Sequence, residues 1–496
     1  MGLKKNLFYS IFNQFVILAL GIILPRLILT SYGSEVNGLL STVTQIFTYV
    51  ALLEAGIGNA SVNALYKPIA DNNKYLVSDI FSATEKYYHK VTYIYIACVL
   101  VLSVGYPLVI DSELSYFTIS LIILFQGMSG ALTFYYVAAY KQVLIADGKN
   151  YIVQNITLII YLISSIAKII LMCNGFNILY LQFAYFVIYC IQVFLYVKVM
   201  RRKYSWLEKH KFPSMEALSQ RNAFLIHEIS GTVFSSTDIF VLSTFCNLKV
   251  ASVYSVYNMI FTALNSLINS INNGLVYILG QTYAKNKIKY NKLHDAYDSF
   301  YMALVFSLIS VAYLLIIPFV NLYTRGVTDA VYVDFKLPLL FALIQLMSCG
   351  RAVSARLITI AGHAKTTQWR SLAEAAINLT ASIILVNWIG IYGVLLGTII
   401  ALLYRVNDII IYANKMVLNR SPWNTYKKWL INVGMFTIFI LIAYFSQKTF
   451  LIVCNSYVVF LIMGLLFSIA SFLLYFGIAI LTNKDLLEFV KCKLKR

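Results

Sequence analysis

Acidic residues are scarce in this chain. Asp and Glu together number 20 against 39 Lys and Arg, and all four types make up only 12% of 496 residues. A soluble domain carries about 25% charged residues, so the polar surface needed to dissolve this one is missing. Phosphate-binding loops of the GxxxxGK[ST] kind are absent, which argues against ATP hydrolysis by the chain itself. The seven cysteines, at 98, 173, 190, 246, 349, 454 and 492, show no metal-ligand spacing and read as small packing residues. No Cys/His cluster and no nucleophile–base spacing stands out, so the expectation is a protein that is not an enzyme and holds no cofactor. A cleavable signal peptide is not expected either, because the first apolar run is full length and has no small-residue cleavage site.

What is present is hydrophobic sequence, 60% of the residues, with a mean hydropathy of +0.76. Apolar runs of about 18 residues or more recur, each long enough to cross the hydrocarbon core as a helix. Fourteen spans are expected: 7–30, 36–64, 91–110, 116–140, 152–173, 178–197, 222–246, 250–279, 297–322, 335–361, 371–388, 390–413, 429–446 and 457–481. An even count puts both termini on one side. Loops on that side, with the flanking helix ends, hold 33 of the 39 Lys and Arg, a bias that predicts cytoplasmic N- and C-termini. The excess of positive charge then faces an anionic inner leaflet and calls for no nucleic acid. "RRKYSWLEKHK" (201–211) and the "KCKLKR" tail read this way. Outer loops are short, leaving no extracytoplasmic domain. The longer inner segments 65–90 and 198–221 are expected to hold interfacial amphipathic helices.

An internal repeat organises the spans. "VNGLLSTVTQIFTYVALLEAGIGN" (36–59) aligns without gaps to "VASVYSVYNMIFTALNSLINSINN" (250–273), an offset of 214 residues. The same offset sets "AKIIL" (167–171) on "ASIIL" (381–385), and Gly148 on Gly362. The expected architecture is all-α and polytopic, with two parallel six-helix bundles and two appended helices. Its parts are 1–200, a basic linker at 201–221, 222–415, a second linker at 416–428, and 429–496 with a basic tail. Parallel repeats of this kind are a transporter architecture with the substrate between the halves.

Fourteen spans as 6 + 6 + 2, the opening "LPRLILTSYGSEVNGLLSTVTQIFTYVALLEAGIGNASVNALY" (24–66), and "SSTDIFVLSTFCNLKVASVYSVYNMI" (235–260) resemble the polysaccharide flippases. These are the O-antigen and capsular repeat-unit translocases of the multidrug/oligosaccharidyl-lipid/polysaccharide superfamily. The resemblance implies a MATE-like fold in a bacterial cytoplasmic (inner) membrane. It also implies alternating access and movement of an undecaprenyl-diphosphate-linked oligosaccharide from the inner to the outer leaflet. Coupling to Na+ or H+ is part of that expectation, as is contact with membrane lipids, a polysaccharide polymerase and chain-length machinery. A drug exporter of the same fold, a lipid-linked peptidoglycan-precursor flippase and a membrane enzyme are the other readings.

Charges inside spans mark the candidate site. Arg26, beside Pro25, either snorkels to the outer interface or lines a central cavity and engages diphosphate, for which a guanidinium presents paired donors. The repeat offset sets position 26 on Phe240, so Asp238 stands within two residues of the equivalent place. An Arg26–Asp238 outer gate is one reading of the pair; a static ion pair or a capping carboxylate is the other. Glu54, beside two glycines, is a candidate for cation coupling or an interfacial Glu. Arg351 and Arg356 either recruit diphosphate on the inner side or meet lipid head groups. Glu374 is read in the first turn of its span, as a helix-start carboxylate or a coupling group. Arg405 and Asp408 are expected to pair locally. Lys168 is read as snorkelling to the outer surface. His227–Glu228 read as packing residues that can bind a proton, and "FYYVAAY" (134–140) as a surface on which sugar rings stack.

Overall fold

A computed structural model describes residues 2–54, 56–211, 213–214, 221–449 and 456–494. They form seventeen α-helices, and no strand occurs among the described residues. This is the outcome lipid dictates, because a helix satisfies its backbone amides within one segment. Eleven described stretches are long and apolar enough to cross a membrane, and the chain is a multi-pass membrane protein.

The first helix, α1 (Gly2–Val50), is broken at Gly33, whose φ of 83° and ψ of 179° suit glycine alone. The bend is pinned on both sides. Tyr32 donates its hydroxyl to the Phe176 carbonyl at 2.5 Å, and the Glu35 carboxylate accepts from Ser112 Oγ and from the Glu113 amide at 3.1 Å. A second break follows in the expected span 36–64. Ala51–Glu54 tightens into a 3-10 turn, Gly56 takes φ 81°, and α2 (Ile57–Ala70) starts afresh.

The first half continues through α3 (Lys74–Val109), α4 (Tyr116–Leu132), a π-helical segment (Thr133–Val137), α5 (Ala138–Ala146), α6 (Asn150–Cys173) and α7 (Ile178–Lys203). The second comprises α8 (Arg221–Phe245), α9 (Leu248–Lys285), α10 (Lys287–Tyr323), α11 (Leu337–Gly350), α12 (Ala352–Ile360), α13 (Ala364–Ile389) and α14 (Ile391–Tyr412). Then come α15 (Trp423–Thr449), α16 (Tyr457–Thr482) and α17 (Lys484–Leu494).

Element bounds follow the 214-residue offset closely. Helices α5 and α12 are both nine residues long and start 214 apart, and α6 and α13 start at 150 and 364. The turns before α6 and α13 use Gly148 and Gly362 at φ 68° and 79°, the left-handed region that glycine enters without a Cβ clash. Other elements depart from the pattern: α4 and α11 start 221 residues apart, at Tyr116 and Leu337. The first half breaks at 51–56, whereas α9 runs without interruption through the matching positions.

Two expected boundaries move furthest. Helices α3 and α10 begin at Lys74 and Lys287, well before the spans 91–110 and 297–322. At 1.5 Å per residue, their 36 and 37 residues extend about 55 Å, far beyond a core of about 30 Å. Their polar first turns therefore stand outside the hydrocarbon, where hydropathy does not register them. Segment 65–90 is thus mostly the start of α3, capped by Asn73, whose side chain accepts from the Leu76 amide at 3.0 Å.

Two compact units divide the chain, Met1–Ser252 and Val253–Arg496. The first includes α8, which packs on α1 and α2. Its apolar core has two parts. One joins α1, α3, α4 and α7 around Leu39, Val43, Val99 and Ile122; the other joins α2, α3, α5 and α6 around Leu65, Phe81, Leu144 and Val153. In the second unit α10 packs against α11, α15, α16 and α17. Ser310 and Tyr475 share a 2.8 Å hydrogen bond between α10 and α16. Helices α13 and α14 come together over Gly393 and Gly397. A Cβ at Gly393 would lie 2.3 Å from the Leu385 carbonyl oxygen, and one at Gly397 would lie 2.5 Å from Ser382 Oγ.

Candidate functional site

A cavity of about 540 Å³ opens inside the first unit, walled by α1, α6 and α7 with single residues from α4 and α8. Its walls are polar stripes at helical spacing. On α6 they are Thr157, Tyr161, Ser164, Ser165 and Lys168; on α7, Gln182, Tyr185, Tyr189 and Gln192. Steps of three and four residues keep such a set on one face, so the polar groups share the cavity and leave the lipid side to Ile, Leu and Phe.

From α1, Gly21, Leu24, Pro25 and Ile28 line the cavity before the Gly33 bend, and Asn37, Ser41, Thr44 and Gln45 line it after. Pro25 has no amide hydrogen and cannot bond the Gly21 carbonyl, so this part of α1 carries a carbonyl without its helical partner. Asn37 donates to Ser252 Oγ at 2.7 Å, and Gln126 of α4 donates to Thr44 Oγ1 at 3.0 Å. Gln192 is 8% exposed, and its Oε1 has no hydrogen-bond partner among the described residues.

Lys168 is the one charged side chain among the described residues that line the cavity, and no carboxylate is among them. Its ammonium lies 4.4 Å from the Tyr185 ring centre, and the Tyr185 and Tyr189 rings are 4.6 Å apart. A cation over an aromatic face gains about 0.5–2 kcal/mol, more where water is excluded. The expectation for Lys168 was an outward snorkel judged by distance from the loop. The structure turns it inward, to the cavity face of α6.

The sequence-picked residues fall in several places. Arg26 is half-buried on α1 beside the cavity-lining Pro25, is not itself among the lining residues, and its carbonyl accepts from Thr30 Oγ1 at 3.0 Å. Asp238 lies on α8, 7% exposed and in the same unit as Arg26. Beside it, Thr237 shares a 2.5 Å hydrogen bond with the Tyr49 hydroxyl. Glu54 is the last residue of the 3-10 turn at the break before α2. The side chains of His227 and Glu228, residues 215–220, and Cys454 and Cys492 lie outside the described ones.

Arg351 and Glu374 meet in the second unit, with Arg351 Nη1 2.6 Å from Glu374 Oε1. Glu374 is in the third turn of α13, because that helix starts at Ala364, seven residues before the expected 371. Arg405 Nε lies 3.4 Å from the other Glu374 oxygen. Arg405 and Asp408 form the expected local pair, and Arg370 also binds Asp408. Three guanidinium groups thus share two carboxylates, with Arg405 and Glu374 both buried. Arg356 lies half-buried on α12. Ion pairing between adjacent helices is the dominant property of this cluster, in contrast to the open polar face of the cavity.

No family model matches the sequence, and no curated protein matches it. Solved structures do. A lipid II flippase, MurJ, in an inward closed conformation superposes with a TM-score of 0.68 at 14% identity, over 95% of this chain and 98% of that one. A multidrug resistance MATE family transporter of the MOP superfamily, in an inward-facing conformation, gives 0.62 at 14% identity over 79% and 95%. A MOP superfamily transporter from Pyrococcus furiosus, described by the reverse polarity of its binding pocket, gives 0.55 at 12% identity over 84% and 93%. The chain shares the MurJ/MATE-like fold of this superfamily.

Proposed function

We propose that the chain is an alternating-access transporter that moves a polyprenyl-diphosphate-linked saccharide across the bacterial cytoplasmic membrane. The single observation that carries this reading is the cavity of the first unit. Its volume falls within the roughly 300–1,000 Å³ of small-molecule sites. Its walls offer tyrosine rings, amides and hydroxyls, the groups that stack on and hydrogen-bond to sugars, with one cation and no carboxylate among the described residues. That charge suits an anionic carrier phosphate and opposes an organic cation, which disfavours the drug-exporter reading.

Within this class, superposition along nearly the whole of a lipid II flippase supports a peptidoglycan-precursor cargo better than an O-antigen or capsular repeat unit. The repeat-unit reading stands second, on the sequence motifs of α1, α8 and α9. Arg26 beside Pro25 is assigned to the diphosphate, and Arg351 and Arg356 to its recruitment on the inner side. Asp238 is assigned to an outer gate and Glu54 to a coupling Na+ or H+. Glu374 belongs to the same coupling set, and a cation arriving there has to compete with Arg351 and Arg405. Reconstitution into proteoliposomes with lipid II in one set and a lipid-linked repeat unit in another separates the two cargoes. Movement of neither, together with uptake of a cationic dye, removes the proposal.

A further inference from the structure

A second, smaller cavity of about 260 Å³ lies in the first unit where four membrane-crossing stretches have an end. Its lining comes from the α2–α3 turn, the α5–α6 turn and the end of α7. Three lysines reach it, Lys74, Lys149 and Lys203, with Asp147, Tyr204 and Trp206. Lys149 Nζ lies 2.6 Å from Asp147 Oδ2 and 3.2 Å from the Tyr204 hydroxyl, which itself donates to Asp147. Burial, then the bond to Asp147, pushes the Tyr204 hydroxyl well above its ordinary range, so it stays a protonated donor. Asp147 and Lys149 thus cancel within a closed triad.

Lys74 and Lys203 are not part of that triad. Both are exposed, and among the described residues neither has a carboxylate partner. Their nearest aromatic neighbours are rings: Lys74 Nζ is 5.7 Å from the Trp206 ring centre, and Lys203 Nζ is 6.0 Å from that of Tyr151. Among the described residues, the pocket keeps two positive charges without a carboxylate partner beside indole and phenol groups. Trp and Tyr settle at the head-group level of a bilayer, and basic pockets between helices at that level bind lipid phosphates.

The second repeat tests whether these lysines only record the general excess of positive charge on one side. At the positions matching Lys149 and Lys203 stand His363 and Val417, whereas Lys74, the first residue of α3 after its Asn73 cap, has a counterpart in Lys287, the first residue of α10 after its Asn286 cap. The cation matching Trp206, Arg420, is bound through both its Nη atoms to Asp295. Two of the three lysines, Lys149 and Lys203, thus belong to the first half only.

We propose that this pocket binds a phosphate ester, supplied by the head group of an anionic membrane phospholipid, with Lys74 and Lys203 as the anion-binding pair. An occupied pocket ties together the start of α3, the Gly148 turn and the end of α7, whose other turns wall the larger cavity.

Native mass spectrometry of the full-length chain in detergent tests this with three probes: phosphatidylglycerol, phosphatidylcholine and inorganic phosphate. The expected result is retention of phosphatidylglycerol over phosphatidylcholine, reduced about tenfold in the double variant Lys74→Gln/Lys203→Gln. A Lys289→Gln/Lys292→Gln control removes the same charge from exposed positions on α10 and is expected to keep the lipid. Equal loss in both variants reduces the effect to net charge and overturns the proposal. Equal retention of the two lipids overturns it as well. Saturable inorganic phosphate binding that displaces phosphatidylglycerol and needs Lys74 and Lys203 overturns the lipid source and assigns the pocket to a free phosphate.

Discussion

The two halves use the same helices for opposite purposes. At the 214-residue offset, Val137, Ile156, Ile160, Ile191 and Phe194 of the first half stand where the second has Arg351, Arg370, Glu374, Arg405 and Asp408. Lys168 meets Ser382, while Leu179 and Phe183 meet Gly393 and Gly397. Glycines let α13 and α14 touch backbone to backbone, whereas the matching Leu179 packs on the core of the first unit and Phe183 meets Phe125 of α4. The second half thereby closes its helix pair and knits it with buried ions. Its counterpart in the first half stays open and lines a cavity with the polar faces of α6 and α7. Repetition fixes where the helices turn; a handful of side chains decides whether the space between them is filled.

Breaking the ion cluster should give the largest effect. Glu374→Ala leaves Arg351 and Arg405 without a shared carboxylate in a buried site, at an expected cost of about 3–5 kcal/mol, read as a fall in thermal unfolding temperature in nanodiscs. Replacing the whole cluster by the first half's residues sharpens the point. The five-fold variant Arg351→Val, Arg370→Ile, Glu374→Ile, Arg405→Ile, Asp408→Phe should lose less stability than Glu374→Ala alone, because no charge is stranded. A larger loss would mean that the network itself, and not merely its neutrality, holds α13 to α14.

Next in size is the glycine contact. Gly393→Leu installs the residue that the first half carries, with its Cβ directed at the Leu385 carbonyl, and overpacking of this kind costs about 1–3 kcal/mol. The folded yield after membrane extraction should fall. For the gate, Arg26→Asp and Asp238→Arg should each lower transport, and the double exchange should recover part of it; a double variant no better than either single removes the pairing. The smallest expected effect on transport is that of Tyr204→Phe, which loses the bond to the Asp147 carboxylate and the one accepted from Lys149, costs about 1.5–3 kcal/mol of stability and leaves transport unaltered.

Much of this architecture was legible. The bend after Tyr32 follows from a glycine between two apolar runs, and the repeat offset anticipated the Gly148 and Gly362 turns to the residue. The extended starts of α3 and α10 were not legible, because hydropathy marks where lipid is and not where a helix ends. Lys168 was misjudged for a related reason. Counting turns from the loop gives depth, but the face decides between lipid and cavity. The signal was present in Thr157, Tyr161, Ser164, Ser165 and Lys168, a polar stripe at helical spacing that calls for a shared interior. In the second unit the Arg405–Asp408 pair was readable within one helix. Its links to Glu374 and Arg370 were not, since they depend on how α13 lies against α14.

The most direct test compares wild type with Lys168→Met in proteoliposomes loaded with a lipid-linked saccharide, with thermal unfolding followed in parallel. Translocation is expected to fall at least about tenfold while the unfolding temperature holds or rises, because a cation facing the cargo is lost and a charge that disfavours burial goes with it. Undiminished translocation by a folded Lys168→Met would contradict the assignment of the first-half cavity as the cargo site.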